Sequence, residues 1–225
     1  MFNFLYVLSN NVKTISKKQE MSNIKGDKSK INKKSYNLAD NSECSAVKTG
    51  GFEVIVVLPD IRSAHNVGSI FRTADAAGVG TIYLSGYTPT PLNKFNKPQP
   101  QITKTALGAE KTLVWKYFES HTTLLNKLKK DGFKIIAVEQ TKNSINYKDL
   151  DLKDLFTDKT KKAGVKSEVE TLDKKVAFVF GNEVLGLPKK ILEKVDVCVE
   201  LPMNGMKESL NVSVTAGIVL FQYLV

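Results

Sequence analysis

The sequence predicts an α/β fold with a mostly parallel sheet flanked by helices, and three observations carry that expectation. At 225 residues, 42% hydrophobic and 25% charged, the chain has enough apolar content to bury a sizeable core. From Phe52 onward, short apolar runs alternate with helical stretches, the order expected of a parallel sheet with crossover helices. Two of these runs, Val54 to Leu58 and Val176 to Phe180, are continuously apolar, as strands covered on both faces are.

The elements follow in order. Val54 to Leu58 is the first strand, and a helix is expected from about Asn66 to Ala77, with Asn66 able to cap its start and Gly78 closing its end. Thr81 to Leu84 is a second strand. A Pro-rich loop over 86–101 leads to a short helix near 102–109, then the run Leu113 to Trp115. A helix over about 120–130 precedes the apolar strand Phe133 to Val138. Residues 143–175 are charged, with Leu150, Leu152, Leu155 and Phe156 as the large apolar exceptions, and are expected to form an irregular insert, part of it mobile. After Val176 to Phe180, Pro188 marks a helix start. Val195, Val197, Val199 and Leu201 alternate with Asp196, Cys198 and Glu200, which places that strand nearer a sheet edge. The last helix starts near 209, with Ser209 or Asn211 as its cap, and Leu210, Val214, Ile218 and Phe221 recur at helical spacing as its expected core face.

The formal net charge of +10 points to an anionic partner such as nucleic acid. Residues 1–48 hold nine lysines against four acids, so half of that excess lies in about a fifth of the chain. Residues 9–49 are rich in Lys, Asn and Ser without apolar period, the pattern of a disordered arm. The domain division is therefore a basic extension over 1–49 and a folded domain over 50–225. The opening run Met1 to Leu8 lacks a preceding basic residue and a following small-residue cleavage site, so secretion is not expected, and Met21 offers an alternative start. Cys44 and Cys198 are too few for a disulfide framework and form no metal-binding spacing, so a reducing, cytoplasmic setting and no metal are expected. No apolar run reaches the ~20 residues of a membrane helix, so no membrane partner is expected.

Three segments carry chemistry-bearing residues. In the first, Leu58 to Gly78, a strand ends at Pro59, a polar loop follows, and Arg72 stands mid-helix among Ile70, Phe71 and Ala74. Arg72 is always charged and can fork onto phosphate; the plainer alternative is an exposed ion pair with Asp75. His65 is expected to face solvent. The second, Phe178 to Pro188, places Gly181-Asn182-Glu183 after a strand, where a glycine lets backbone amides approach a ligand and Glu183 can sit near a helix N-terminus. The third, Leu201 to Ile218, carries Pro202, Met203, Gly205 and Met206 before Ser209-Leu210-Asn211. No G-x-G-x-x-G follows the first strand, and neither a P-loop nor a G-x-S-x-G elbow occurs, which removes the common dinucleotide, nucleotide and serine-hydrolase readings.

Taken together and in this order, the segments resemble the motifs of the SpoU (TrmH-like) family of the SPOUT superfamily of RNA 2′-O-ribose methyltransferases. Asn66 and Arg72 fit an Asn followed six positions later by Arg. Gly181-Asn182-Glu183 fits Gly-x-Glu after an apolar strand, and Leu201 to Ala216 fits Pro-Met followed by Ser-Leu-Asn-Val-Ser-x-Ala. The resemblance covers residues 53–225. It implies a fold whose C-terminal part forms a deep trefoil knot, an exception to the usual absence of knots. It implies methyl transfer from S-adenosylmethionine to a ribose 2′-hydroxyl of tRNA or rRNA, by a homodimer. Gly181, Leu201, Met203 and Leu210 would hold the cofactor. Asn66, Arg72, Glu183, Ser209 and Asn211 would form the catalytic set, with Ser209 and Asn211 bonding Arg72 or the ribose and Glu183 orienting the guanidinium. Arg72 is the family's proposed base; a guanidinium with pKa above ~12 needs the substrate phosphate and neighbouring groups to help it, and positioning phosphate and ribose suits it directly. A catalytically inactive RNA-binding module of the same fold would be expected to lack Arg72, Glu183, Ser209 or Asn211, and all are present.

Overall fold

The computed structural model describes residues 48–157 and 174–225. Nearly all of the expected basic arm, Cys44 and the middle of the 143–175 insert lie outside the described residues. The strands are β1 (Lys48–Thr49), β2 (Phe52–Pro59), β3 (Thr81–Ser85), β4 (Val114–Phe118), β5 (Lys134–Val138), β6 (Ile145–Asn146), β7 (Lys175–Phe180) and β8 (Val197–Glu200). The helices are α1 (Ala64–Ala76), α2 (Pro100–Ala106), α3 (Ala109–Thr112), α4 (His121–Lys130), α5 (Lys189–Leu192) and α6 (Val212–Leu224), with a single 3-10 turn over Leu152–Phe156 inside the insert.

One sheet runs in the order β4-β3-β2-β7-β5-β8-β6, every neighbouring pair parallel, with β1 added antiparallel to the start of β2. The continuous apolar runs are explained by two cores. Val54, Val56 and Leu58 of β2, with Val176, Phe178 and Phe180 of β7, face α1 and α6; Ile55, Val57, Ala177 and Val179 face Leu124, Leu125 and Leu128 of α4. β8 is next to the edge, covered on its outer side by the two-residue β6, in keeping with its alternating pattern.

Local chemistry sets the helix limits. Val67, Ile70, Phe71 and Ala74 recur at three- and four-residue spacing and bury one face of α1. Its end is a Schellman motif: Val79 N–H donates to the Ala74 carbonyl, Gly78 N–H to the Asp75 carbonyl, and Gly78 takes φ +75°. The start differs from expectation. Ser63, not Asn66, is the N-cap, its hydroxyl accepting from Asn66 N–H at 3.3 Å, and the Asn66 side chain is thereby released for another partner. Asn211 caps α6, its side chain accepting from Ser213 N–H at 2.8 Å; Ser209 does not.

The expected core face of α6 is also corrected. Val212, Ala216, Val219, Leu220 and Leu224 are buried, while Leu210, Val214 and Phe221 are 41%, 49% and 44% exposed. The helix is apolar on both sides, so its periodicity could not say which side meets the sheet. The parallel order brings the carboxyl ends of β2, β7 and β8 to one edge, where ligands of open α/β sheets bind.

A close helix contact secures this edge. A Cβ on Gly68 of α1 would be driven into the Thr105 hydroxyl and the Ile102 carbonyl of α2, both within one turn of backbone. Gly68→Ala should therefore destabilise the fold by about 1–3 kcal/mol, as overpacking does, despite alanine's better helix propensity. Urea unfolding midpoints of the two proteins check this.

Candidate functional site

The site is assembled from three loops that leave the carboxyl ends of β2, β7 and β8. After β7, Asn182 organises a tight loop. It is 7% exposed, and its side chain uses its full hydrogen-bonding capacity: Oδ1 accepts from Val184 and Leu185 N–H at 2.8 and 2.9 Å, and Nδ2 donates to the Asp60 carbonyl at 2.6 Å and to the Tyr87 hydroxyl at 2.7 Å. Gly186 closes the loop at φ +65°, its N–H donating to the Asn182 carbonyl.

Glu183 then reaches across to the loop after β2. Its carboxylate accepts from Arg62 N–H at 3.2 Å, Ser63 N–H at 3.4 Å and Asn66 Nδ2 at 2.9 Å, at the N-terminus of α1 where a negative charge is favoured. Partial burial alone would push its pKa up, but the bonds from the Asn66 amide and from backbone N–H groups outweigh it and hold Glu183 below the usual carboxylate range. Asn66 Oδ1 in turn accepts from Asn211 Nδ2 at 3.2 Å, so residues of all three loops join in one chain of hydrogen bonds.

Beside this chain lies an open cleft with about 620 Å³ of free space, part of it open to solvent. Gly181, Glu183, Leu201, Met203, Ser209 and Leu210 line it, together with Glu139, Gln140 and Glu200, which the sequence did not single out. Gly181 is required by crowding: a Cβ there would stand 2.9 Å from Glu139 Oε2 and 3.1 Å from the Gly186 backbone. Glu139 is itself engaged, accepting from Leu187 N–H at 2.8 Å and Gln140 N–H at 3.0 Å.

Of the expected catalytic set, Asn66 is hydrogen-bonded to both Glu183 and Asn211, and Ser209 lines the cleft. Arg72 does not join them. It lies exposed in a separate groove with Ser69, Thr73, Lys104, Thr105 and Phe221, and among the described residues it bonds neither Glu183, Ser209, Asn211 nor Asp75. The expectation that Glu183 orients the guanidinium is corrected: Asn66 and the backbone of α1's start already occupy that carboxylate. Asp75 instead accepts from the Thr112 hydroxyl at 3.0 Å. His65 is exposed, as expected.

Comparison with known proteins fits this geometry. The model of the SpoU rRNA Methylase family matches residues 53–221. The chain belongs to that family. A tRNA (guanosine(18)-2'-O)-methyltransferase of Aquifex aeolicus is 31% identical over 170 residues, covering 76% of this chain and 68% of the relative. A 23S rRNA (guanosine-2'-O-)-methyltransferase of Xylella fastidiosa is 31% identical over 179 residues, covering 77% of this chain and 59% of the relative. The chain thus spans roughly three fifths to two thirds of these SpoU relatives. The crystal structure of the A. aeolicus TrmH/SpoU tRNA modifying enzyme superposes with a TM-score of 0.58 at 28% identity, covering 75% of this chain and 72% of that one. An AdoMet-bound rRNA methyltransferase from Sinorhizobium meliloti shares the fold, with a TM-score of 0.61 at 23% identity over 79% of this chain and 57% of that one.

Within this SpoU chain the residues missed by sequence reasoning are mostly supports. Asp60, at φ +54°, has its carboxylate held by Tyr87 N–H at 3.1 Å and His121 Nε2 at 2.8 Å, and His121 Nδ1 meets the Ser85 hydroxyl at 2.9 Å. The signal was faint: a Pro-Asp step at the end of a strand and a lone histidine 61 residues later.

The Glu183 clamp has a pH signature. Its folded pKa is depressed, so the native state binds fewer protons than the unfolded chain in the acid range; the stabilisation is complete above the unfolded carboxylate value and is lost as pH falls through the folded value. Glu183→Gln should lower stability at neutral pH and flatten its decline on acidification below pH ~4.3. Urea unfolding of both proteins across that range tests the sign.

Proposed function

We propose that the chain is an S-adenosylmethionine-dependent RNA methyltransferase acting on a ribose 2′-hydroxyl of tRNA or rRNA in the cytoplasm. The observation that carries this reading is the convergence of the loops after β2, β7 and β8 on one cleft, with the Asn66–Glu183–Asn211 chain beside it. Membership of the SpoU family and the names of its relatives support the activity. Among the described residues no helix is long and apolar enough to cross a membrane.

The cleft fits the cofactor. Gly181 lines it where the loop after β7 packs closely on Glu139, Leu201, Met203 and Leu210 supply apolar walls, and Glu139 and Glu200 supply carboxylates beside a cationic ligand. When bound, S-adenosylmethionine supplies a methyl group already activated by its sulfonium. The protein must then position the hydroxyl and remove its proton. Asn66, fixed on both sides by Glu183 and Asn211, presents a rigid polar wall for the ribose. Ser209, exposed at the cleft, is free to bond it. Among the described residues Arg72 has no carboxylate partner, so its guanidinium is available to the substrate phosphate, which brings the two together and lets phosphate and neighbouring groups assist deprotonation.

In this reading the C-terminal part of the domain threads a deep trefoil knot. Support comes from β7 lying between β2 and β5 while β8 returns to the far side of β5. Residues 50–225 are then the catalytic domain, and residues 1–49 a basic extension adding salt-dependent, sequence-blind affinity for RNA. The active form is a homodimer, supported by the solvent-facing apolar side of α6, where Val214 and Phe221 stand exposed.

Arg72→Ala should lower methyl transfer from labelled S-adenosylmethionine to total tRNA and rRNA by about a hundredfold or more, while calorimetric cofactor affinity stays unchanged. Near-normal turnover would sink the assignment, and binding of NAD in place of S-adenosylmethionine would sink the whole reading. Mass spectrometry of 2′-O-methyl nucleosides in the treated RNA identifies the target. Val214→Lys should convert a dimer to monomer in sedimentation velocity; a wild-type monomer at all concentrations overturns the dimer.

A further inference from the structure

The loop between β3 and α2 is long, and it is built rather than slack. At its base Thr88 is buried, its hydroxyl donating to the Leu58 carbonyl at 2.7 Å and accepting from Ile61 N–H at 3.0 Å. At its tip Asn93 Oδ1 accepts from Phe95 and Lys97 N–H at 2.9 and 3.1 Å, Asn93 N–H donates to the Lys97 carbonyl, and Leu92 bridges Pro98. These bonds hold up an aromatic ring that packs on little: Phe95 is 70% exposed, with the Lys94 ammonium 5.1 Å from its centroid. Tyr87, at the base, is 56% exposed. Beside Tyr87 runs an open groove lined by Pro89, Leu92, Lys94 and Tyr117.

Neither the fold nor the proposed chemistry uses Phe95, Lys94 or Lys97. Three facts identify what would. Residues 86–98 contain two lysines and no acid, so the surface is complementary to a polyanion. Of the nearby carboxylates, Asp60 is already held by His121 and the Tyr87 N–H. The surface is continuous with the site, because the Tyr87 hydroxyl accepts from Asn182, the residue that shapes the loop after β7.

We propose that the 86–98 loop is a stacking platform for unpaired RNA bases, with Phe95 and Tyr87 taking the bases and Lys94 and Lys97 the flanking phosphates. The inference rests on the RNA-methyltransferase reading and adds to it the form of the substrate: a single-stranded loop or bulge beside the methylated ribose. Aromatic rings offered to solvent next to lysines suit splayed bases, whose π-faces a duplex keeps stacked, and the pre-set loop loses little entropy on binding.

The test is fluorescence anisotropy of the full chain with a labelled, mixed-sequence single-stranded 15-mer RNA and with its duplex. Phe95→Ala should weaken single-strand binding about tenfold and Phe95→Tyr should restore it, while cofactor affinity stays constant. The Lys94→Ala/Lys97→Ala variant should lower the slope of log affinity against log salt by about 1.4, two phosphates' worth for single strands. Wild-type preference for the duplex, or Phe95 and lysine variants that bind the single strand as tightly as wild type, overturns the platform and leaves the methyltransferase reading standing. Loss of self-association in Phe95→Ala without loss of RNA affinity assigns the loop to a second copy of the chain and equally overturns it. A wild-type protein that neither binds RNA nor methylates it overturns the underlying reading instead.

Discussion

The carboxylate of Glu183 joins parts of the chain about 120 residues apart, and the shape of the site depends on that junction. Two backbone N–H groups at the start of α1 and the Asn66 amide converge on it, and Asn66 passes the connection on to Asn211 at the start of α6. The arrangement is electrostatically consistent. The first N–H groups of a helix have no partner within the helix and carry its positive end, so an ionised acid from another loop both satisfies and neutralises them. Asn182 adds a second attachment of the same two loops through the Asp60 carbonyl. One three-residue step, Gly181-Asn182-Glu183, therefore supplies clearance, loop shape and cross-loop anchor in turn.

Much of this framework was legible in the sequence because burial on two faces leaves a direct mark. β2 and β7 are continuously apolar since alternate residues enter different cores, whereas β8, one strand from the edge, buries Val199 fully and leaves Val197, Cys198 and Glu200 half-buried. Where the sequence misled, local pattern admitted two answers and tertiary contact chose. Ser63 and Asn66 are both good caps three residues apart; the deciding partner of Asn66 lies 117 positions away. In α6 both sides are apolar, so helical spacing found a face without saying whether the sheet or solvent meets it. The sequence puts Glu183 near a helix N-terminus; the helix it reaches is α1 and not the short α5 that follows it.

The string Ser85–His121–Asp60 shows how geometry and exposure must be weighed together. Its distances of 2.9 and 2.8 Å are those of a nucleophilic triad, yet Ser85 is fully buried and cannot meet a substrate. Its effect is instead on the backbone. His121 and the Tyr87 N–H fix the Asp60 side chain while Asp60 occupies the left-handed region at φ +54°, and the carbonyl so oriented is the one Asn182 binds.

The site is thus divided between charges that are spent and charges that are kept. Glu183 and Asp60 are held by internal donors, which fixes the loops that border the cleft. Arg72, on the same helix that Glu183 anchors, has no acid partner among the described residues. An always-charged guanidinium exposed in a groove beside Lys104 repels a second cation and attracts phosphate. The separation of Arg72 from Glu183 corrects the expected pairing, but it makes chemical sense: an arginine saturated by its own protein's carboxylate would have little left for the substrate, whereas one held apart retains its full affinity for the phosphate that must arrive with the ribose.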